Sequence, residues 1–379
     1  MSNLRVAYVI NDASFFLSHR LPLAIEVLRK GGKVCLITGT NINKSIENEA
    51  IKKIELCNIQ HYKCNFSQGV KNPISELLGL FQLIMFLKKF NPTTVHSATA
   101  KANLMTCIAY NFLKKSKLIL SVSGMGTMFT GKIGFKKKLL KLFFIFVFKI
   151  SLRKLNYEII FQNGDDLKSF HSIVSFEISK ARIIRGSGVD TSKLKPSKKI
   201  SKLTKILLPA RMLYEKGIEE FVKASKILKE KNIACSFYLA GDTMSLNPSA
   251  ISKKTIDEWV SDGSIIYLGH QYNLNEMYRD IDIVCLPSWR EGFPKVLMEA
   301  ASLGLPVITT NVPGCRDAVI NNKTGIIIEV KNENQLANAI IKLINNHELR
   351  LNMGLSNRIL AEKKFDLKFI VPKIVGLYN

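Results

Sequence analysis

The chain has 379 residues, a formal net charge of +25 at pH 7 and a hydrophobic content of 47%. This length predicts two domains rather than one core, and the hydrophobic content excludes disorder as the reason for the charge. The seven cysteines are scattered, which excludes a zinc motif and indicates free thiols in a reducing compartment. The first apolar run is strand-like and begins almost at once, so we predict no signal peptide. We expect the protein in the cytosol or at the inner face of a membrane.

Predicted strands and helices alternate through the first half of the chain. Apolar runs predict strands at 5–10, 33–39, 93–98, 117–124 and 158–163. Helices are predicted at 17–32, which ends in two glycines, and at 75–91, which stops before a proline. Strands that alternate with helices are typical of a parallel sheet covered on both faces.

The same alternation resumes after a break. Residues 183–199 are rich in Gly, Ser, Pro and Lys, which is typical of a linker. Beyond it, a helix is predicted at 216–231, and strands are predicted at 205–210, 235–241, 264–269, 281–288 and 306–310. The sequence therefore predicts two doubly wound α/β domains facing a cleft, where ligands bind beyond the carboxyl ends of the strands. We place the domains at 1–188 and 189–364, with a last helix at 365–379 that returns to the N-terminal domain.

The positive charge is concentrated in one part of the chain. Residues 77–157 contain fourteen Lys or Arg and no Asp or Glu. Within this span, residues 131–156 are basic and strongly apolar, but their longest apolar run is far shorter than the roughly 18 to 20 residues that span a bilayer. Two interpretations remain open, namely a helix lying on an anionic membrane leaflet and a core helix with solvated lysines. A third interpretation is that this segment binds nucleic acid, although no recognisable motif supports it.

Several polar residues follow predicted strands of the second half. Arg211 and Lys216 flank a turn after its first strand, and the stretch "WREGFPKVLMEA" (289–300) opens a helix after a later strand. Arg, Lys and the free amides of a helix N-terminus suit a diphosphate. Gly292 allows close approach of the backbone, and Pro294 suits the first helical turn.

Two carboxylates lie in the same stretch. Glu291 precedes the predicted helix, and Glu299 lies about two turns along it. A carboxylate accepts hydrogen bonds from neighbouring hydroxyls, such as those of a ribose or a hexose. The segment therefore predicts a nucleotide-sugar site. The alternative is that Glu291 caps the helix and Glu299 lies on the surface.

Two acidic patterns are not predicted to bind a metal. Residues 280–282 read as a helix end followed by a strand entry. Residues 164–166 follow a predicted strand, where acidic residues begin a helix. We expect neither a metal nor another cofactor.

The sequence resembles the retaining glycosyltransferases of family 4, which have the GT-B fold of two Rossmann-like domains. The resemblance rests on "ARMLYEKGIEEFVKA" (210–224) and "DIVCLPSWREGFPKVLMEAASLGLPVITTNVPGCRDAV" (282–319), which contains two Glu separated by seven residues. The first half is similar to the bacterial capsule and O-antigen branch, through "FFLSHRLPLAIEVLRKGG" (15–32), "VSGMGTMFTG" (122–131) and "IIFQNGDD" (159–166). It covers nearly the whole chain.

This resemblance implies roles for the residues that match the motifs. Arg211 and Lys216 would bind the donor diphosphate, Lys216 would stabilise the departing charge, Glu291 would contact the donor sugar and Glu299 would hold the ribose. The phosphate-binding segment would comprise Gly292, Phe293, Pro294 and Lys295. The donor-binding domain would then be the C-terminal one and the acceptor-binding domain the N-terminal one.

The resemblance also implies the substrates. The donor would be a nucleotide sugar, UDP-linked and carrying a hexose or N-acetylhexosamine. The acceptor would be a saccharide on undecaprenyl diphosphate, extended through an α-linkage in O-antigen or capsule synthesis. The protein would be peripheral on the inner face of the bacterial inner membrane, with an anionic membrane surface as partner and no nucleic acid.

Two positions depart from the family pattern. Many relatives have a second His where this chain has Ala98, and His-Gly where it has Ser123 and Gly124. The role of those histidines in positioning the donor sugar is therefore not carried over. The candidates for the acceptor side are His19, Arg20, His96, Lys101 and Ser123.

Two other functions remain open. A nucleotide-sugar epimerase of the same fold would act on free nucleotide sugar without any acceptor. A basic nucleic-acid-binding protein would lose affinity steeply with salt and would not respond to UDP.

Overall fold

The computed structural model describes residues 3–40, 43–67, 72–113, 116–124, 135–154, 156–197, 203–243 and 247–379. The chain forms two compact units. Unit 1 comprises Met1–Ser187 and Lys368–Asn379, and unit 2 comprises Gly188–Leu367.

Unit 1 is built on a seven-stranded parallel sheet. Its strands are β1 (Arg5–Ile10), β2 (Lys33–Thr40), β3 (Gln60–Ser67), β4 (Thr94–Ala98), β5 (Lys117–Val122), β6 (Tyr157–Phe161) and β7 (Ala181–Ile183). The helices between them are α1 (Ala13–His19), α2 (Leu21–Arg29), α3 (Lys44–Glu55), α4 (Pro73–Phe90), α5 (Ala100–Tyr110), α6 (Phe135–Lys154) and α7 (Gly164–Val174). The strand order is β3-β2-β1-β4-β5-β6-β7, so the order reverses between β1 and β4.

Helices α4 to α7 cover one face of this sheet. Val9 and Leu118 of the sheet belong to one core cluster with Leu87 of α4, Met105 of α5 and Phe148 of α6. Helix α5 contacts α4 on one side and α6 on the other. These helices therefore form one layer on one side of the sheet, in the order of their sequence.

Unit 2 repeats the architecture with a six-stranded parallel sheet in the order β10-β9-β8-β11-β12-β13. Its strands are β8 (Thr204–Pro209), β9 (Cys235–Ala240), β10 (Ile266–Tyr267), β11 (Ile283–Leu286), β12 (Val307–Thr310) and β13 (Gly325–Ile328). Its helices are α8 (Ile218–Glu230), α9 (Lys253–Ser261), α10 (Leu274–Met277), α11 (Lys295–Ser302), α12 (Cys315–Ala318), α13 (Glu333–Asn345) and α14 (His347–Leu360). The last helix, α15 (Leu367–Val375), belongs to unit 1 from Lys368 onward. Buried clusters lie on both faces of the sheet.

The predicted fold of two doubly wound α/β units is confirmed, and all seven cysteines are free thiols. One predicted helix is wrong, because residues 17–32 form parts of two helices, α1 and α2, with Arg20 between them. Pro22 lies in the first turn of α2 and has no N–H to continue the hydrogen bonding of α1. Helix α3 and strand β3 were not predicted, because neither contains a long apolar run.

The basic segment at 131–156 is described from residue 135 to 154, as α6, and the rest of it lies outside the described residues. Phe144, Phe148 and Leu152 are buried in the core of unit 1, so one side of this helix packs in the core. Within the described ranges, no helix combines the length and apolar character that crossing a membrane requires.

Candidate active site

Loops at the carboxyl ends of the unit 2 strands hold one another through backbone hydrogen bonds. The loop between β8 and α8 is held on one side by Met212 N, which donates to Asp242 O at 3.0 Å. On the other side, Trp289 N donates to Glu215 O at 2.9 Å. The segments that carry Arg211, Lys216 and Glu291 are thus fixed relative to each other by main-chain contacts.

Two glycines allow these loops to approach closely. Gly217 has φ +73°, and a Cβ there would lie 2.1 Å from the carbonyl oxygen of Pro287. Gly314 has φ +80°, and a Cβ there would lie 2.2 Å from the carbonyl oxygen of Gly292. Any other residue at these positions would combine backbone strain with a steric clash.

Lys216 and Glu291 form an ion pair at this edge of the sheet. Lys216 Nζ donates to Glu291 Oε1 at 2.5 Å, and Ser288 Oγ donates to the same oxygen at 2.9 Å. The two charged side chains are 16% and 12% exposed, so a ligand can still reach them. Among the described residues, Glu291 therefore binds Lys216 of the neighbouring loop and Ser288 of its own loop, and it does not cap α11.

Glu299 is buried rather than on the surface. Tyr278 Oη donates to Glu299 Oε2 at 3.2 Å, and Lys295 Nζ lies 3.7 Å from Oε1. Burial, together with the charge of Glu299, raises the pKa of Tyr278 well above its usual value, so the phenol keeps its proton and remains a donor. The alternative of a capping Glu291 with a surface Glu299 is therefore wrong.

Helix α11 begins beside these carboxylates. Its N-cap is Pro294, one position earlier than the first-turn position that the sequence suggested, and no side chain caps it. The first turn carries no acidic residue. Gly292 and Phe293 are buried, and the Phe293 ring packs edge-on against Phe365 with centroids 5.6 Å apart. The positive end of the helix dipole is thus available to an anion.

Arg211 lies two residues after β8 and is exposed. Within the described part of the chain, the structure records neither a hydrogen bond nor an ion pair for its guanidinium. Its five donors can therefore turn to a phosphate without first breaking an internal contact.

Three residues of this site were not singled out from the sequence. Ser288 and Tyr278 bind the two carboxylates, as described above. Trp289 anchors the loop, since its Nε1 donates to Glu220 Oε1 at 2.9 Å and Lys331 Nζ lies 3.9 Å from its ring centroid. The only sequence signal for these three residues is a Trp among polar residues. It does not indicate that Trp289 binds Glu220, which lies 69 residues away in the chain.

In unit 1, His96 and Arg20 lie in a buried polar cluster. His96 Nδ1 is 2.6 Å from Tyr378 Oη, and Nε2 is 2.8 Å from Ser121 Oγ. Burial, reinforced by the charge of Arg20, lowers the pKa of His96 well below its usual value, so the imidazole is neutral. Tyr378 Oη also lies 3.1 Å from Tyr8 Oη. Both ring nitrogens of His96 are occupied and the residue is fully buried, so the structure does not support direct acceptor contact by His96.

Arg20 is buried as well. It is 3% exposed, its Nη1 donates to the carbonyl of His19 at 3.1 Å, and its guanidinium lies 5.8 Å from the Phe15 ring centroid. This guanidinium is enclosed rather than on an open surface, and its Nε has no hydrogen-bond partner among the described residues.

The other three acceptor-side candidates are more accessible. His19 is half-buried and stacks on Phe15 with centroids 4.3 Å apart. Lys101 Nζ pairs with Glu76 at 2.6 Å. Ser123 follows β5 and lines a small cavity that also includes Asn103. The structure does not gather these residues into one hydrogen-bonded group among those it describes.

The acidic patterns have structural partners. Asp282 accepts from Lys205 N at 2.9 Å, and Asp280 lies 3.7 Å from Lys205 Nζ. Asn163 caps α7 by accepting from Asp166 N at 2.7 Å, which confirms the helix start at 164–166. In the ranges that the structure describes, no three His, Cys, Asp or Glu side chains are placed to hold a metal ion.

Two family models match the chain. One, described as "Glycosyl transferases group 1", matches residues 190–358, and the other, described as "Glycosyl transferase 4-like", matches residues 5–163. The first range contains the whole Lys216, Glu291 and Glu299 arrangement. Together the two models match the larger part of each unit.

Curated relatives and solved structures agree with these models. The chain is 26% identical to the N,N'-diacetylbacillosaminyl-diphospho-undecaprenol alpha-1,3-N-acetylgalactosaminyltransferase of Campylobacter jejuni, over 99% of this chain and 98% of that protein. It is 28% identical to the capsular polysaccharide biosynthesis glycosyltransferase CapM of Staphylococcus aureus, over 80% of this chain and 81% of CapM. The structure of Anabaena Alr3699/HepE in complex with UDP-glucose matches with a TM-score of 0.76 and 15% identity, over 99% of both chains. That likeness shows a shared fold.

Proposed function

Because this chain belongs to the glycosyltransferases of family 4, we propose that it transfers a sugar from a UDP-sugar to a saccharide on undecaprenyl diphosphate. The sugar is a hexose or an N-acetylhexosamine, the new linkage is α, and the product serves O-antigen or capsule synthesis. The proposal is supported by the Campylobacter jejuni relative, whose name specifies a diphospho-undecaprenol acceptor and an alpha-1,3 linkage. The observation that carries it is the Lys216 and Glu291 pair beside the uncapped start of α11.

The donor diphosphate binds at the start of α11 in this proposal. The backbone N–H groups of Gly292, Phe293 and Lys295 face the phosphates, since Pro294 between them has no N–H, and Arg211 adds a cation that makes paired hydrogen bonds. Negative charge develops on the departing nucleoside diphosphate as the glycosidic bond breaks. Lys216 stabilises that charge, because a cation already held in place by Glu291 needs little reorganisation during the reaction.

The two carboxylates recognise the sugars of the donor. Oε1 of Glu291 accepts hydrogen bonds from Lys216 and Ser288. Its other oxygen, Oε2, can therefore accept a hydrogen bond from a hydroxyl of the transferred sugar near the reacting carbon. Glu299 accepts the ribose hydroxyls, and the buried phenol of Tyr278 sets its orientation. The acceptor hydroxyl attacks from the face that the diphosphate leaves, which retains the anomeric configuration.

The acceptor is assigned to the N-terminal domain, with His19, Lys101 and Ser123 as the remaining candidates. We assign donor binding to residues 189–364 and acceptor binding to residues 1–188. The protein acts as a peripheral enzyme at the inner face of the bacterial inner membrane, where undecaprenyl-linked acceptors are held. No step of this scheme requires a metal ion or a nucleic acid.

The test is a panel of UDP-, GDP- and dTDP-sugars, each incubated with a synthetic sugar–diphosphate–lipid acceptor while released nucleotide is followed in parallel. Transfer from a UDP-sugar, with release of UDP that depends on acceptor, is the expected result. Transfer from only a GDP- or dTDP-sugar would overturn the assignment of the base. Conversion of a donor sugar without any acceptor product would replace the transferase with an epimerase.

A further inference from the structure

Helix α4 carries an apolar stripe that faces away from the core. Its exposed large apolar side chains are Ile74, Leu77, Leu78, Phe81 and Met85. At 100° per residue, these positions fall within about 60° of Phe81 around the helix axis. The buried residues Leu83, Leu87 and Phe90 lie on the opposite side.

Helix α6 carries the same stripe with the same spacing of i, i+3, i+4, i+7 and i+11. Its exposed apolar side chains are Leu139, Leu142, Phe143, Phe146 and Ile150. The side that packs on the sheet contains Phe144, Phe148 and Leu152. Phe146 is 61% exposed and Phe81 of α4 is 63% exposed, so each stripe centres on an aromatic ring in contact with solvent.

The two stripes point in the same direction. Helices α4 and α6 rest on the same face of the unit 1 sheet, and α5 lies between them with no exposed residue. Since each stripe is opposite the buried side of its own helix, both lie on the outer surface of this helical layer. Two parallel bands of exposed apolar side chains are unusual for a soluble surface and mark an interaction site.

The charge around the stripes has one sign. Residues 77–157, which include both stripes except for Ile74, contain fourteen Lys or Arg and no Asp or Glu. Lys88 and Lys89 at the end of α4 and Lys149 and Arg153 on α6 are exposed. The nearest acid before this span, Glu76, is paired with Lys101.

We propose that the ten side chains of these two stripes form a docking face that lies on an anionic lipid bilayer. The apolar residues enter the boundary between headgroups and acyl chains, while the flanking cations meet lipid phosphates. The inference deepens the proposed function, since an acceptor on undecaprenyl diphosphate is presented at a membrane surface.

Charge favours a bilayer over a second copy of the chain as the occupant. Two copies meeting through this face would bring two acid-free basic surfaces together, and like charges repel at such contact. An anionic leaflet instead supplies the opposite charge and an apolar interior for the aromatic side chains. Neither helix spans the membrane in this arrangement, because each uses its other side for the core.

The test measures sedimentation of the full chain with vesicles, without any sugar substrate. One set contains about 30% phosphatidylglycerol in phosphatidylcholine, and the other contains phosphatidylcholine alone. The main variant is Phe81→Ser/Phe146→Ser, which removes one ring from each stripe. The matched control is Leu355→Ser/Ile359→Ser, which removes two exposed apolar side chains from α14 in unit 2.

The natural chain is expected to bind the anionic vesicles, with at least about tenfold weaker partitioning to the neutral ones. Phe81→Ser/Phe146→Ser should lose at least about tenfold in partitioning, while the α14 variant retains it. Lys149→Glu/Arg153→Glu should also weaken binding to the anionic vesicles. The electrostatic contribution to the affinity of the natural chain should fall at about 1 M salt, where the Debye length is about 3 Å. Unfolding temperatures within a few degrees of the natural chain would show that the variants fold.

Several results would overturn the docking face. These are no binding to anionic vesicles, equal binding by Phe81→Ser/Phe146→Ser, or equal loss in the α14 variant. A concentration-dependent dimer that the phenylalanine variant abolishes, without vesicle binding, would identify a second copy as the occupant instead. Vesicle binding by a chain that transfers no sugar would contradict the proposed function while leaving the docking face intact. Transfer to a short-chain acceptor in detergent, retained by the phenylalanine variant, would separate docking from catalysis.

Discussion

Each unit contains a polar cluster, but the two clusters differ in access. In unit 2, Lys216 and Glu291 remain 16% and 12% exposed, and Arg211 beside them faces solvent. In unit 1, His96 is fully buried, with both ring nitrogens bound by side chains of the same unit. The first cluster is open to a ligand, whereas His96 in the second is enclosed by side chains of its own unit. A sequence that contains Lys, Glu or His therefore does not show whether the side chain is accessible to a ligand, and the burial of the residue in the structure does.

The comparison predicts that Glu291→Gln strongly slows transfer while preserving the fold. The amide still accepts from Ser288, but it loses the negative charge that holds Lys216 and the sugar hydroxyls. We expect kcat to fall by about 100-fold or more, as for other groups that act on developing charge. Steady-state transfer assays with saturating donor measure this. Glu215→Gln in the neighbouring loop is the control and should keep its activity, and near-normal transfer by Glu291→Gln would remove Glu291 from the site.

A change in the unit 1 cluster should instead reduce stability. Tyr378→Phe leaves the ring in place but removes the hydroxyl that contacts both His96 Nδ1 and Tyr8 Oη. Leaving these buried polar atoms without their partner costs about 1–3 kcal/mol of unfolding free energy. Urea unfolding of the variant measures the loss, with Tyr272→Phe at an exposed ring as the control. Unchanged stability would show that the cluster does not hold the C-terminal residues.

The neutral state of His96 should make unit 1 sensitive to acid. Its pKa is lowered well below 6.5 in the folded state, so below pH 6.5 the unfolded chain binds a proton that the folded chain does not. Stability from this group is fully present above that pH and falls by up to about 1.4 kcal/mol for each pH unit below it. His61, whose pKa is also lowered by burial, adds a loss of the same sign. Unfolding free energies at pH 7.5 and 5.5 should therefore differ less in His96→Gln than in the natural chain, and an equal difference would contradict a neutral His96.

The smallest effect is expected from Tyr278→Phe, which tests whether Glu299 holds the ribose. Without the phenol, Glu299 loses one oriented hydrogen bond but stays near Lys295. A loss of about 1 kcal/mol corresponds to an increase of about fivefold in the donor KM, with kcat little changed. The variant should also discriminate less between a UDP-sugar and its 2′-deoxyribose analogue. A lower kcat with unchanged discrimination would indicate that Tyr278 acts only on the fold.

Local patterns carried most of the fold and part of the site. The strands at 5–10 and 205–210 are apolar runs, and such runs bury on both faces of a parallel sheet wherever they occur. Glu291 and Gly292 lie just before α11 and Glu299 lies within it, and this local placement follows from sequence spacing alone.

Contacts between distant segments were decided only by the tertiary structure. Lys216 meets Glu291 across 75 residues, and His96 meets Tyr378 across 282. Nothing in either local sequence specifies such a partner, because side chains are brought together by strand order and loop packing. The same reason explains why His96 and Arg20 were expected at an accessible acceptor side although both are buried.

The sequence by itself determined that this chain forms two α/β units with a nucleotide-sugar motif in the second. It could not determine which side of α4 or α6 faces solvent, since both helices are apolar on opposite sides and lack a periodicity that marks the inner one. The sheet decided this by covering Leu83 and Phe148 and leaving Phe81 and Phe146 exposed. Periodicity reports which residues are apolar, whereas only packing decides which apolar residues are buried.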